Sequence, residues 1–300
     1  MIKLSHDRVI YSMGKKNQIA LWANPGDILE IETQNWFSSQ RDYAKELAEA
    51  ENGIPINPAT GPIGIKGATR GDILKIDILA IELIEKGLMF SFPGSGLLGT
   101  EINNIHTKLI SMNDGYAQFN EHIRIPLKPM IGVVGTSPDD NIPCYLPGRH
   151  GGNMDNQHIC AGSSVYLPVY SDGGGFAVGD LHGVMGDGEV SEWGLETSGK
   201  VIVQTQLIKN KQLEWPVLET ATDYYIIVSL ENLDNTIHEA IRHSVQLIQK
   251  ASGLSLEDAS SLASLIANVE ICQVTNPIKT VRIRFSKDVD GINLLEYLCG

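Results

Sequence analysis

Three hundred residues, 42% apolar and 20% charged with 30 Gly and 13 Pro, suffice for a real core and exclude a disordered, collagen-like or fibrous chain. The 23 Lys and Arg against 36 Asp and Glu leave a net charge of −13, which excludes a phosphate backbone or an anionic membrane surface as the expected partner. No stretch reaches the roughly 18–20 apolar residues of a membrane span, and the first residues lack a signal-peptide core, so the cytoplasm is the expected compartment.

In chain order, residues 27–33 and 72–79 each follow a glycine and put their apolar side chains mainly on one face, the period of half-buried strands. Residues 41–52 carry helix formers with Tyr43, Leu47 and Ala50 at helical spacing, and Gly53 and Pro55 supply the stop of a short surface helix. From 117 to 203 nearly everything is strand-length and punctuated by Gly or Pro, as at 124–126, 130–135, 165–170 and 201–207, which predicts a sandwich or barrel. Asp234-Asn235 is expected to cap a helix ending at Ser252 before Gly253, and Ser255-Leu256-Glu257-Asp258 to open a second reaching about Ala267. A final strand is expected at 280–285. The fold class is thus mostly β with a smaller α/β part that includes a C-terminal helical hairpin, α+β overall. The β body is expected over 1–205 and the smaller part over 206–300, as two units or one. Cys144, Cys160, Cys272 and Cys299 show no CxxC spacing and read as reduced packing thiols.

Chemistry concentrates in residues 150–199, which hold seven carboxylates and three histidines and no Lys or Arg. Solvated turn carboxylates are the bland reading; if the side chains converge, a cation is the economical one, because an unpaired buried carboxylate is costly. Within Gly179-Asp180-Leu181-His182-Gly183-Val184-Met185-Gly186-Asp187-Gly188-Glu189, an extended chain points Asp180 and His182 to one face, and likewise Asp187 and Glu189. Carboxylate plus imidazole suits Zn²⁺ or a related ion, and an all-carboxylate neighbour suits Ca²⁺ or Mg²⁺. Upstream, Pro147-Gly148-Arg149-His150-Gly151-Gly152-Asn153-Met154-Asp155 offers a His, an amide and a carboxylate in a glycine-rich turn. The EF-hand order, the G-x-S-x-G elbow and the glycine-rich phosphate loops are absent.

These two motifs, with Asn57-Pro58-Ala59-Thr60-Gly61-Pro62 and Pro129-Met130-Ile131-Gly132-Val133-Val134-Gly135 in the same order, resemble the acetamidase/formamidase family over about residues 5–285. The resemblance implies hydrolysis of a short amide on a mostly-β fold, in a homodimer or homotetramer that depends on a divalent metal. It places the metal on Asp155, Asp180 and His182, and extends that role to Asp187 and Glu189. Zn²⁺ is the expected ion, with Ca²⁺ in a second site. Glu189 is the expected general base, with Asp187 second and His150 a further catalytic candidate, and such a metal would lower the pKa of water toward about 7. Asn35 and Trp193 depart from the family pattern, and Trp193, Phe176 and Met185 are candidates to narrow the pocket. A non-catalytic metal-binding β protein, or a hydrolase of another amide or ureido compound, stays open on the sequence alone.

Overall fold

The computed structural model describes residues 1–34 and 56–291. Asn35, the helix expected at 41–52 and Cys299 lie outside the described residues.

Two large sheets form the body. One has nine strands in the order Ile2–Leu4, Ile28–Glu32, Gly199–Ile208, Ile73–Leu83, Ser164–Pro168, Val217–Glu219, Asp223–Leu230, Lys279–Ser286 and Asn268–Gln273. The other, of eleven strands, runs from Arg124–Pro126 through His106–Asn113, Lys86–Ser91, Glu196–Thr197, Phe176–His182 and Met130–Gly135 to Gly151–Asn153, with Ala59–Ile65 paired alongside Phe176–His182. Leu29, Ile76, Val165 and Val201 of the first sheet share one buried core with Ile63, Ile131, Val178 and Leu181 of the second. The sheets therefore pack face to face as a sandwich, as the closely spaced short strands imply.

A second core explains the C-terminal part. In Asp223–Leu230 the side chains of Tyr225 and Ile227 enter the inter-sheet core, whereas Tyr224, Ile226 and Val228 pack on the other face with Ala240, Val245 and Ile248. Strand period two thus lets one apolar run serve two cores, because helices cover the outer face. Those helices are Leu233–Ser252 and Leu256–Ile266. The first starts two residues earlier than its sequence signal: Asn232, on extended backbone, is the cap and accepts from the Asn235 N–H at 3.0 Å. The second opens as expected, with Ser255 Oγ accepting from the Asp258 N–H at 3.1 Å. Gly199–Ile208 runs through position 205, and the nine-stranded sheet takes strands from both sides of it. Cys144, Cys160 and Cys272 are free thiols. No described helix is long and apolar enough to cross a membrane.

Candidate active site

The site lies where Phe176–His182 meets its neighbours. Antiparallel pairing sets Ile131 opposite Leu181 and Val133 opposite Gly179, so Gly132 faces Asp180. At the end of that strand the register pairs His182 with Glu196. Asp155 follows Gly151–Asn153, and its N–H and that of Met154 both reach the Gly132 carbonyl, at 3.4 and 3.1 Å. A Cβ on Gly132 would stand 2.6 Å from both Asp155 Oδ1 and Asp180 Oδ2, and one on Gly194 would stand 2.4 Å from His182 Nδ1. Both glycines give the site its room by lacking a side chain.

The ligand-type atoms of Asp155, Asp180 and His182 lie within 4.8 Å of one another, as do those of His182, Glu189 and Glu196. His182 Nε2 is 3.0 Å from Glu196 Oε1 and 3.6 Å from Asp180 Oδ1, yet no hydrogen bond forms at that nitrogen. The imidazole and the carboxylates therefore converge on a common space instead of pairing in line. Asp155 Oδ1 is likewise buried without a donor, while Asn276 Nδ2 donates to Asp155 Oδ2 at 3.3 Å and Asn57 Nδ2 to Asp180 Oδ2 at 3.2 Å. Among the described residues no Lys or Arg bonds to any of the four carboxylates, all of which are buried or nearly so.

Electrostatics follow from that crowding. Burial, then the Asp180 charge, pushes Asp155 up to about 7. Burial also raises Glu196 to about 7 and, with Asp155 beside it, lifts Glu189 well above the usual carboxylate range. Burial opposes the charged form of His182, but Glu196 and Asp180 outweigh it and hold its pKa well above the ordinary value. Four carboxylates against one imidazole, with orphaned oxygen and nitrogen atoms turned inward, form a donor set that fits a divalent cation. The pocket over them, about 200 Å³, is also walled by Asn153, Glu192, Trp193 and Tyr145.

The Acetamidase/Formamidase family model matches residues 16–147 and 143–269, nearly the whole described chain. This chain belongs to the acetamidase/formamidase family. A predicted acetamidase/formamidase from Thermoanaerobacter tengcongensis superposes with a TM-score of 0.89 at 40% identity, covering 95% of each chain. An acetamidase from Bacillus halodurans superposes with a TM-score of 0.89 at 36% identity over 95% of this chain and 97% of that one. The formamidase of Methylophilus methylotrophus is 25% identical over 67% of each chain. This family member is accordingly an amidase-type hydrolase.

Not every expected residue of the amidase joins the cluster. Asp187 is gripped by Arg282, whose Nη1 and Nη2 donate to its two oxygens at 2.8 and 2.5 Å, and it belongs to neither group of converging atoms. The extended backbone assumed for Asp187 and Glu189 is not found: the segment is a tight turn, with Glu189 at φ 45°, although both residues line the larger cavity beside the site. His150 is buried with neither ring nitrogen hydrogen-bonded, burial lowers its pKa to about 4, and it belongs to neither group of converging atoms. Phe176 sits in the inter-sheet core, whereas Trp193 walls the pocket. Glu196, Asn57 and Asn276 were missed as site residues. Glu196 stood among the seven carboxylates and Asn57 in a motif, but nothing marked Asn276, which reaches Asp155 from the C-terminal part. That part also clamps the Glu189 turn, through Arg282 and through the Gly188 N–H to the Cys272 carbonyl at 2.9 Å.

Proposed function

We propose that this amidase hydrolyses short linear amides such as formamide and acetamide to the carboxylate and ammonia, at a divalent-metal centre on Asp155, Asp180 and His182. The convergence of these buried side chains with Glu189 and Glu196, uncompensated by any described Lys or Arg, carries the reading. Zn²⁺ is the ion proposed, since imidazole with carboxylates suits it; two carboxylates, Glu189 and Glu196, supply the harder oxygens that a neighbouring Ca²⁺ would take. When bound, the ion supplies Lewis-acid polarisation of the amide carbonyl and acidifies water.

The chain's own residues do the rest. Glu189 is buried beside the cluster and lines the pocket, where it takes a proton from water and returns it to the amide nitrogen, which leaves only once protonated. Asn153 Oδ1, buried without a donor on the pocket wall, accepts an N–H of the substrate amide and orients it. Glu192 adds a second acceptor, held in place by Ser95 Oγ at 2.8 Å and the Gly96 N–H at 3.3 Å. Asp187, bound to Arg282, acts as the anchor of the Glu189 turn and not as a base. A four-atom substrate has little binding energy, at best about −1.5 kcal/mol per heavy atom, so saturation is expected only at high concentration.

Ammonia release from formamide, acetamide and propionamide, before and after chelation and with Zn²⁺ or Ca²⁺ restored, tests this. Turnover lost to chelator and returned by one ion supports the reading; its absence across the panel in folded, metal-replete protein overturns it. Added Ca²⁺ distinguishes the two roles of Glu189. It inhibits if Glu189 must be free as the base and activates if a second ion belongs there.

A further inference from the structure

Beside the polar pocket lies a larger cavity of about 560 Å³. Its walls include Met89, Ile110, Ala117, Phe119, Val184 and Met185, and it shares Glu189 and Trp193 with the polar pocket. Glu189 therefore lines both the polar pocket and an apolar space almost three times its size.

We infer that this cavity is an acyl subsite and that the preferred substrates are amides whose apolar acyl group is larger than acetyl, an aliphatic chain of several carbons or an aromatic ring. The inference rests on the amidase reading above and extends it from reaction to substrate class. The cavity is built rather than incidental. Ile110, Ala117, Met185 and Leu195 are all 5% exposed or less, and Ile110, Ala117 and Leu195 are packed in one buried cluster. Trp193, at the junction of the two spaces, is pinned by Phe90 with ring centroids 5.0 Å apart and by its Nε1–H donating to Ser95 Oγ at 3.1 Å. Polarity sorts the occupant. Among the described lining residues, only Lys128, Asp187 and Glu189 are ionisable; Lys128 is exposed and Asp187 is taken up by Arg282. A neutral apolar group fits such walls, while the carboxamide reaches the polar side past Glu189. Acetamide is smaller than the polar pocket alone and leaves this surface unused.

Kinetics across acetamide, propionamide, butyramide, valeramide and hexanamide, with calorimetric binding of the same compounds to the metal-replete protein, test the inference. Specificity should rise by about fourfold per methylene, or about sixtyfold from propionamide to hexanamide. Ala117→Leu and, independently, Val184→Phe narrow the cavity without touching the polar pocket; each should flatten that rise and leave acetamide turnover unchanged. If no amide is turned over but binding still tightens with chain length, the amidase reading fails and the subsite stands. Acetamide turnover with no dependence of either kcat/KM or binding on chain length overturns the subsite and keeps the amidase.

Discussion

Gly132→Ala adds one methyl group at the centre of the site. The new carbon would stand 2.6 Å from Asp155 Oδ1 and 2.6 Å from Asp180 Oδ2, where ordinary contact begins at 3.4 Å, so both carboxylates must retreat by about 0.8 Å. Neither can do so freely, because Asn276 holds Asp155 and Asn57 holds Asp180. Overpacking of this kind costs about 1–3 kcal/mol in stability. Metal ligation is more sensitive, since ligand distances must hold to about ±0.2 Å. A displacement four times that tolerance should lower Zn²⁺ affinity by at least the roughly 10–100-fold seen when supporting contacts are lost, with turnover falling in parallel. Competition against a chromophoric chelator measures the affinity, and urea unfolding separates it from stability. Gly186→Ala is the control, since Gly186 lies in the same acidic motif and a Cβ there would meet no heavy atom within 4 Å. Wild-type affinity and turnover in a folded Gly132→Ala protein would refute the assignment of Asp155 and Asp180 as a shared ligand pair.

Glu189→Gln should lower kcat by about 10²–10⁴-fold with a smaller change in KM, the signature of a lost proton-transfer group, in steady-state ammonia assays. Asp187→Asn should instead change kcat less than tenfold and cost about 1–2 kcal/mol by denaturation. Asp187 is 37% exposed, and Arg282 retains Glu270 at 2.7 Å, which limits the loss. Asn276→Ala should weaken metal binding by about 10–100-fold without altering the far-ultraviolet spectrum, read by the same chelator competition. Stability of the metal-free protein should fall as pH rises from about 4 to 7. Burial raises Asp155 and Glu196 to about 7 in the folded chain, above their unfolded values, so in that window the folded state holds the extra protons. His182, raised in the folded state, adds the same sign as pH climbs through its folded value. Zn²⁺ should flatten this dependence, and a metal-free melting temperature that is flat or rising between pH 5 and 7 would contradict the cluster's charge balance.

The parts of the fold legible in the sequence were those where one residue type has one physical use. Alternation marked Ile28–Glu32 and Ile73–Leu83, and Ser255 before Asp258 marked the second helix start. Asp223–Leu230 and Asn268–Gln273 were missed as strands. The first is apolar on both faces, as a strand between two cores must be, and so lacks the alternation that identifies a half-buried one. In the site, excess negative charge over residues 150–199 pointed to Asp155, Asp180, His182 and Glu189, all of which the structure brings together. Asp187 stood in the same run because its partner, Arg282, is 95 residues away and composition within a segment cannot see it.

The reason the period-two argument reached Asp180 and His182 but misplaced Asp187 lies in the backbone. Asp180 is at φ 56° although it sits within a strand, so its side chain is aimed by a left-handed kink that the flanking ladders enforce. Asn57, Asp155, Glu189 and Glu192 are also left-handed, at φ 52°, 44°, 45° and 74°, so five of the seven described non-glycine residues with positive φ belong to this one site. Each such residue costs of order 1–2 kcal/mol, somewhat less for Asn and Asp. That strain adds to the burial of four carboxylates that have one imidazole and no described Lys or Arg to balance them. Both costs fall on the same few residues, and both would be offset by one event, cation binding. The metal-free chain is therefore expected to open first at this site, with amide exchange fastest in residues 186–194, and to close there when the ion is restored.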